Sequence, residues 1–483
     1  MSDELPEGWA VRPLSEIFLL NPPKPPADLV PPSTPVSFVP MPAVDSALGS
    51  IQGATDRPFS DVRKGYTAFA DNDVILAKIT PCFENGKAAV ARGLTNGMGF
   101  GSSEFFVFRG VGTVIPQYLF HFVRQQKFRD EGAAQMNGAV GQARVPADFL
   151  RSVKLPISPL PEQHRIVEKV EALLEQVNRA KERLDRVPLI LKRFRQAVLA
   201  AACSGELTRE WRQNHKFERS APALVEDIWE QRARSSQRSA TLGPPATEAV
   251  KNLDGWCETR IGDVVDCLDN IRRPINKDER ANRTGNIPYF GANGQVGWID
   301  SYLFDEDLVL VVEDETFVGR EKPFSYVVRG KTWVNNHAHV LRPLGGMSAE
   351  YLDTCLAFYN FVPLTSGTTG RRKLTKAALL SAPICVAPLA EQQEIVRLTT
   401  ALFSLADTIE RRVQAAATRA NKLPQAILSK AFSGELVPTE AELARLEGRT
   451  YETAEELLKR VTALGSDAPV AGKGRGRRAR KAE

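Results

Sequence analysis

At 483 residues, 43% hydrophobic and 8% aromatic, the chain has the length of about three globular units and the apolar content of core-forming protein, which excludes disorder throughout. Its formal charge of +5 belongs to one end: of 63 Lys/Arg and 58 Asp/Glu, the last twelve residues, GKGRGRRARKAE, hold six and one, leaving 57 of each. Global charge is therefore no argument for a nucleic-acid partner.

The chain starts with MSDELPEGWA, acidic and without the apolar centre of a signal peptide, and no stretch approaches roughly 18 consecutive apolar residues, so a cytoplasmic protein is expected. Residues 1–157 form a front of short β-rich runs, VSFVP, DVILAKI and SEFFVFRG, between Gly, Pro, Asn and Asp turns, with a helix over 118–128. Residues 158–207 have helical periodicity, and 208–250 read as a polar linker containing a helical piece, ALVEDIWEQRARSS. A second front follows over 251–386, with DLVLVV, FSYVV and a helix over 351–361. A second helical region covers 387–437, and 438–483 read as a charged helical extension ending in the basic tail. Six cysteines (Cys82, Cys203, Cys257, Cys267, Cys355, Cys385) show no C-x-x-C spacing and are expected to be reduced, mostly buried thiols.

The chain is two copies of one plan. PLPEQHRIV (159–167) returns as PLAEQQEIV (388–396), and QAVLAAACSGEL (196–207) as QAILSKAFSGEL (425–436), with six of nine and eight of twelve residues identical at one offset of 229. GAVGQARV (138–145) meets GTTGRRKL (367–374) at the same offset, whereas GWAVRPLSEI after position 8 meets GWCETRIGDV after 255 at 247. Each copy has a front of variable length and a back of fixed length. Loops tolerate insertion; a segment that sets a distance does not.

In the fixed backs apolar residues alternate in steps of four and three. The first seam runs through Ile166, Val170, Leu173, Val177 and Leu184, the second through Ile395, Leu402, Ile409, Val413 and Leu423. A 3.5-residue period over several heptads favours an antiparallel coiled coil between the copies over two helices each packed on its own domain. Prolines and the acids Glu162 and Glu391 open the segments, while Gly205 and Gly434 suit the left-handed residue after a helix. Pro188 and Pro424 predict a kink or a two-piece helix. The resulting class is α+β: two pseudo-symmetric, mainly β domains joined by two long antiparallel helical regions.

Little in the chain resembles catalytic machinery. Asn21-Pro22-Pro23-Lys24 is similar to the motif with which adenine methyltransferases hold a flipped base, but it lacks the aromatic ring that stacks on the base. Gly97-Met98-Gly99-Phe100-Gly101 fits a turn between strands better than a nucleotide loop, and GTTGRRK lacks the ending of a phosphate loop. His337 and His339 could share a strand face near Glu313, Asp314 or Glu315 as metal ligands; a structural or DNA-facing role is favoured because the first copy has GSSEFF there. No nuclease-like carboxylate and Lys cluster recurs in both halves. No catalytic residue, metal or cofactor is expected.

What remains are basic, amide-bearing loops. In the first front these hold Arg57, Arg63, Lys64, Lys78, Asn85, Lys87 and Arg144. In the second they hold Arg272, Arg273, Lys277, Arg280, Asn282, Arg283, Asn293, Gln295, Arg320, Lys322, Arg371, Arg372 and Lys373. Arg, Asn and Gln can read base edges in pairs of hydrogen bonds, and Lys can hold phosphates. The candidate DNA-binding set is Lys78, Asn85, Lys87, Arg144, Arg272, Arg273, Lys277, Arg283, Asn293, Gln295, Arg371, Arg372 and Lys373.

The two P-L-x-E-Q-x-x-I-V to S-G-E-L backs, with ITPCFENGKAA (79–89) and IPYFGANGQVGWID (287–300), make the chain resemble the specificity subunit of type I restriction-modification systems over residues 5–437. The resemblance implies that each front is a target recognition domain reading half of a bipartite, asymmetric site in double-stranded DNA. It implies that the helical regions space those domains and dock partners, two modification subunits that methylate adenine at N6 and restriction subunits driven by ATP. It also implies a subunit without a catalytic centre of its own. An autonomous methyltransferase or nuclease, or a scaffold that does not touch DNA, are the rival readings. The extension after Val437 has no copy after Leu207 in this reading, and its basic tail is either a phosphate-attracting arm or a neutral appendage.

Overall fold

The β-branched and aromatic runs of the fronts form strands, as their fit to a half-buried pleated surface requires. The computed structural model describes residues 5–466 except 47–48, 139–141, 235–243, 246, 316, 321 and 369–370, so the basic tail lies outside the described residues. It divides into two compact units, the first made of Met1–Arg183 with Ala416–Glu483 and the second of Leu184–Ala415.

In the first unit, Phe18–Leu20, Phe105–Gly110, Val74–Ala77 and Ala88–Val90 make one four-stranded sheet, and Thr55–Pro58, Pro35–Val39, Met98–Gly101 and Thr67–Ala70 another. In the second, Val265–Cys267, Ala338–Pro343, Leu308–Val312 and Ser325–Val328 make one sheet, and Gly294–Ile299, Ile287–Gly291, Lys331–Val334 and Phe304–Asp305 the other. The registers repeat as well as the order. Ala10 pairs with Ile157 where Cys257 pairs with Val386; Phe18 pairs with Gly110 where Val265 pairs with Pro343; Val74 pairs with Phe108 where Val309 pairs with Leu341. The central strands Val74–Ala77 and Leu308–Val312 are buried along their whole length, which is why they read as unbroken apolar runs rather than alternating ones.

The fixed backs form two helices of 44 residues each, Leu160–Cys203 and Leu389–Phe432. Both continue through their prolines, Pro188 and Pro424, so the two-piece expectation is not met. An internal proline costs about 3 kcal/mol, a local loss that packing along the rest of a long helix can offset. Gly205 and Gly434 follow the helices with φ of +71° and +78°, the left-handed geometry expected of them.

Each unit holds the start of one long helix beside the end of the other. In the first unit Ile166, Val167 and Val170 share a core with Leu428, Ala431 and Phe432, while Arg165 bonds Glu440 at 2.7 Å. In the second Arg195 reaches Asp407 at 2.7 Å and Glu410 at 2.9 Å, and Ala202 shares a core with Ile395. Rising numbers on one helix meet falling numbers on the other, so the helices pair antiparallel in both units.

The seam is buried in parts only. Ile166, Val170, Val177 and Ile395 are buried, Leu173, Leu184, Leu402 and Val413 are half-buried, and Ile409 and Leu423 are 37% and 45% exposed. Ala406 and Ala420, which fall on the same four-and-three pattern, are buried, as is Leu428 one residue off it. Two helices cover only part of one another's circumference, and small alanines allow a closer approach than the strict heptad predicts.

The stretch read as a linker and the stretch read as an uncopied extension are equivalent structures. Ala221–Arg234 lays Ala221, Leu224, Val225 and Ile228 into the second core. Ala454–Ser466 lays Ala454 and Leu458 into the first, with Leu457 buried beside them. Each helix begins with an alanine N–H donating to a glycine carbonyl, Ala221 to Gly255 at 2.8 Å and Ala454 to Gly8 at 2.9 Å. Both glycines are left-handed, at φ +77° and +85°. The duplication therefore extends beyond the S-G-E-L endings, at an offset of 233 where the backs have 229. Among the described residues no helix is long and apolar enough to cross a membrane.

Candidate nucleic-acid interface

A buried carboxylate anchors each long helix under its front. Glu162 accepts from the Trp9 indole at 2.9 Å and the Glu440 N–H at 2.8 Å. Glu391 accepts from the Trp256 indole at 2.8 Å, the Thr208 hydroxyl at 2.7 Å and Arg212 Nε at 2.9 Å. Burial pushes the Glu162 carboxyl up, against the pull of its hydrogen bonds. The adjacent glutamines, Gln163 and Gln392, donate to the carbonyls of Ser158 and Ala387 at 2.9 and 2.8 Å. This explains why the E-Q pair stands at the start of both backs: the acid closes on the tryptophan of the front and the amide on the connecting strand. Two further buried groups escaped the sequence reading, Tyr118 and Tyr351, whose hydroxyls donate to the carbonyls of Pro156 and Cys385. Their recurrence at the head of the two matched helices, at an offset of 233, was the signal that could have found them.

At the end of each central strand the chain presents polar loops. In the first unit the Lys78 carbonyl accepts from the Val145 N–H at 2.9 Å, and the Lys78 ammonium stands 5.5 Å from the Phe106 ring. Arg144 makes a double bond set with Glu104, at 2.9 and 3.0 Å, which holds that carboxyl below the ordinary glutamate range. Lys87 donates to the Met41 carbonyl at 3.1 Å, whereas Asn85 is exposed on the turn between them.

In the second unit the Glu313 carbonyl accepts from the Leu374 N–H at 2.8 Å, the same bond at the same place. The side chains differ. His339 stands where Phe106 stands in the first unit, Glu313 where Lys78 stands, and Lys373 where Arg144 stands, its ammonium 3.3 Å from Glu313. Arg272, expected to face DNA, turns inward: it bonds Glu313 and the Ala338 carbonyl and lies 3.2 Å from Asp269. Arg372 is held by Thr365 at 2.7 Å, Arg283 by Asp300 and Ser301 over the Trp333 ring, and the Asn293 amide oxygen accepts from Arg320 at 2.8 Å. Arg273, Gln295 and Lys373 are exposed. The side chains of Lys277 and Arg371 lie outside the described residues. In a chain body with equal acids and bases, position in a turn does not tell a cation paired within the domain from one facing outward.

The loop search also passed over apolar groups. Val296, Trp298 and Tyr302 are 50%, 57% and 47% exposed beside Gln295. Val296 and Trp298 share one face of the strand Gly294–Ile299, in a hairpin whose two-residue turn is Ala292-Asn293, closed by the pair Gly291 and Gly294. Exposed aromatic and apolar side chains among polar ones are the pattern of a contact surface.

Cys267, Asp269 and His339 place three donor atoms within 4.8 Å of one another. Those donors already answer each other: His339 Nδ1 lies 2.6 Å from Asp269 Oδ2, burial pushes the Cys267 thiol up to about 12, and Arg272 stands where a cation would approach Asp269. The group reads as a hydrogen-bonded network. His337, half exposed, is 3.9 Å from Asp314 and does not join it.

The chain matches the type I restriction modification DNA specificity domain over residues 6–188 and 254–419. It is 24% identical to the Type I restriction enzyme EcoEI specificity subunit of Escherichia coli, over 89% of this chain and 83% of that one. It is 26% identical to the EcoKI specificity subunit of Escherichia coli (strain K12), over 90% of each. Among solved structures it is similar to the HsdS subunit from Thermoanaerobacter tengcongensis, with a TM-score of 0.59 and 21% identity over 89% of this chain and 98% of that one. A chain from a study of complex assembly and conformational transition of the type I R-M system aligns with a TM-score of 0.60 at 22% identity, over 90% of this chain and all of that one.

Proposed function

Because the chain belongs to the type I restriction modification DNA specificity family, and is thus a specificity subunit without catalytic chemistry of its own, we propose that its two fronts read the two unlike halves of one bipartite DNA site. The observation that carries this reading is the pair of strand-end loops. One backbone arrangement carries half-buried Lys78 beside buried Phe106 in the first unit and exposed Lys373 against buried Glu313 and His339 in the second, unlike loop ends on one scaffold, as two readers of different sequences would have. Asn85 in the first front, and Arg273, Gln295, Lys373 and Trp298 in the second, are the exposed groups best suited to base edges and phosphates.

The long helices set the distance between half-sites. Each is continuous over 44 residues, so the two copies carry helices of equal length. Leu189, Ile190 and Leu405, all more than half exposed, and Ile409 give these helices an apolar strip that suits docking by modification subunits. Those partners methylate adenine in each half-site, and restriction subunits join the same complex in the cytoplasm. Replacing residues 251–386 by another front, followed by methylation mapping in cells that carry the modification partner, should change one half of the recognised sequence and keep the other. A change in both halves overturns independent readout. Inserting one helical turn in a long helix should lengthen the tolerated spacer, and an unchanged spacer refutes the ruler.

A further inference from the structure

Cys203, the last residue of the first long helix, meets Cys355, the penultimate residue of the helix Ala349–Leu356. Both thiols are free. Cys203 Sγ donates to the Thr354 carbonyl at 3.6 Å, and the thiol of the following residue, Cys355, is its hydrogen-bond partner. The duplication shows what else this place can hold. Phe432 stands where Cys203 stands, 229 residues on, and Phe122 stands where Cys355 stands, 233 residues back. In the first unit those two rings pack edge to face, with centroids 5.4 Å apart. One place in the scaffold thus holds an unreactive aromatic contact in one unit and two sulfurs in the other.

The two sulfurs are not alike. Cys203 is half-buried on the wall of an open cavity of about 1210 Å³, which Gly205, Phe217, Leu253 and Cys385 also line. Cys355 is buried. The hydrogen bond from Cys355 pulls the Cys203 thiol below its ordinary value, against burial, while the same bond and burial push the Cys355 thiol well above it. Thiolate is the form that attacks, so Cys203 is the nucleophile and Cys355 the partner that keeps its proton. The neighbouring thiols are set against reaction. On the paired strands Cys257–Arg260 and Pro383–Val386, burial pushes Cys257 up to about 12 and raises Cys385 as well.

We propose that Cys203 and Cys355 are a modification site for hydroperoxides, closing to a disulfide that ties the end of the first long helix to the second front. The Cys203 sulfur attacks the outer oxygen of the hydroperoxide. An S–O bond forms, the O–O bond breaks, and the oxygen released leaves as alcohol or water with the proton that Cys203 gave up. The Cys355 sulfur then attacks the Cys203 sulfur: the S–S bond forms, the S–O bond breaks, and hydroxide leaves as water with the Cys355 proton. The peroxide gains two electrons, one drawn from each sulfur. The first unit, with rings at both places, has no counterpart. None of this depends on how the fronts read DNA.

The test treats the folded full chain with hydrogen peroxide, unfolds it in an alkylating reagent, and maps its peptides without reductant. One intramolecular disulfide, Cys203 to Cys355, is expected. Alkylation of those two should fall about tenfold while Cys82, Cys257, Cys267 and Cys385 stay alkylated, and a thiol reductant should restore both. Hydrogen exchange in Ala349–Leu356 should slow on oxidation, while Pro116–Val123, the equivalent helix of the first unit, keeps its rate. Cys355→Ala should stop Cys203 at the sulfenic acid, captured by a cyclic dione, and Cys203→Ala should leave Cys355 reduced. The wild-type map decides the pairing even where a variant fails to fold. Cys203 still alkylated after peroxide, Cys203 joined to Cys385, oxidation of all six thiols alike, or unchanged exchange in Ala349–Leu356 overturns the proposal.

Discussion

The two units close the same tryptophan–glutamate clamp in different ways. Around Glu391 the second and third partners are a hydroxyl and a guanidinium, from Thr208 and Arg212. Around Glu162 the corresponding partner is a main-chain N–H at Glu440, and Arg165 is engaged by Glu440 instead. One unit thus buries an ion pair and the other a carboxylate held by neutral donors. Duplicated scaffolds keep the group that sets geometry and vary the group that balances its charge.

The sharpest way to break this comparison is to neutralise each acid. Glu391→Gln leaves the Arg212 guanidinium, 12% exposed, without its carboxylate and should cost about 3 to 5 kcal/mol in denaturant unfolding. Hydrogen exchange should place the loss in peptides of the second unit. Leu224→Ala and Leu457→Ala come next, at about 2 to 4 kcal/mol each. If residues 438–466 were an appendage rather than the first unit's copy of Ala221–Arg234, Leu457→Ala would be near neutral. Glu162→Gln should cost less, about 1 to 3 kcal/mol, because one acceptor turns into a donor facing an N–H.

The smallest effect is pH dependence at Glu162. Its carboxyl is raised in the folded state, so the folded chain holds a proton that the unfolded chain releases, and this contribution is complete below the ordinary glutamate range and lost as pH rises through the folded value. Unfolding midpoints across weakly acidic pH should therefore decline more steeply with rising pH in the wild type than in Glu162→Gln. Equal slopes would mean that burial does not perturb Glu162.

Much of the fold was legible because repetition amplifies weak signals. The matched backs, the antiparallel helices and the two mainly β fronts followed from offsets and periodicity. The equivalence of Ala221–Arg234 and Ala454–Ser466 was not legible: only an A-x-x-L spacing survives, and the offset shifts by four residues just before it. The seam was placed too evenly, since a heptad assigns equal burial to Leu423 and Ala420 whereas helix approach distance favours the smaller side chain.

The candidate interface was the least legible part. Arg272, Arg283 and Arg372 stand in turns like those of Arg273 and Lys373, yet their guanidiniums bond Glu313, Asp300 and Thr365 inside the unit. By itself the sequence determined duplication, the matched extent of the two helical backs, and family, because these depend on local periodicity and on residues compared at fixed offsets. Only the tertiary structure decided which charges are paired, that His339 lies buried between Asp269 and the Leu374 carbonyl, and that the C-terminal segment completes the first unit. Pairing is a matter of distance between residues far apart in the chain, and composition and local pattern carry no record of it.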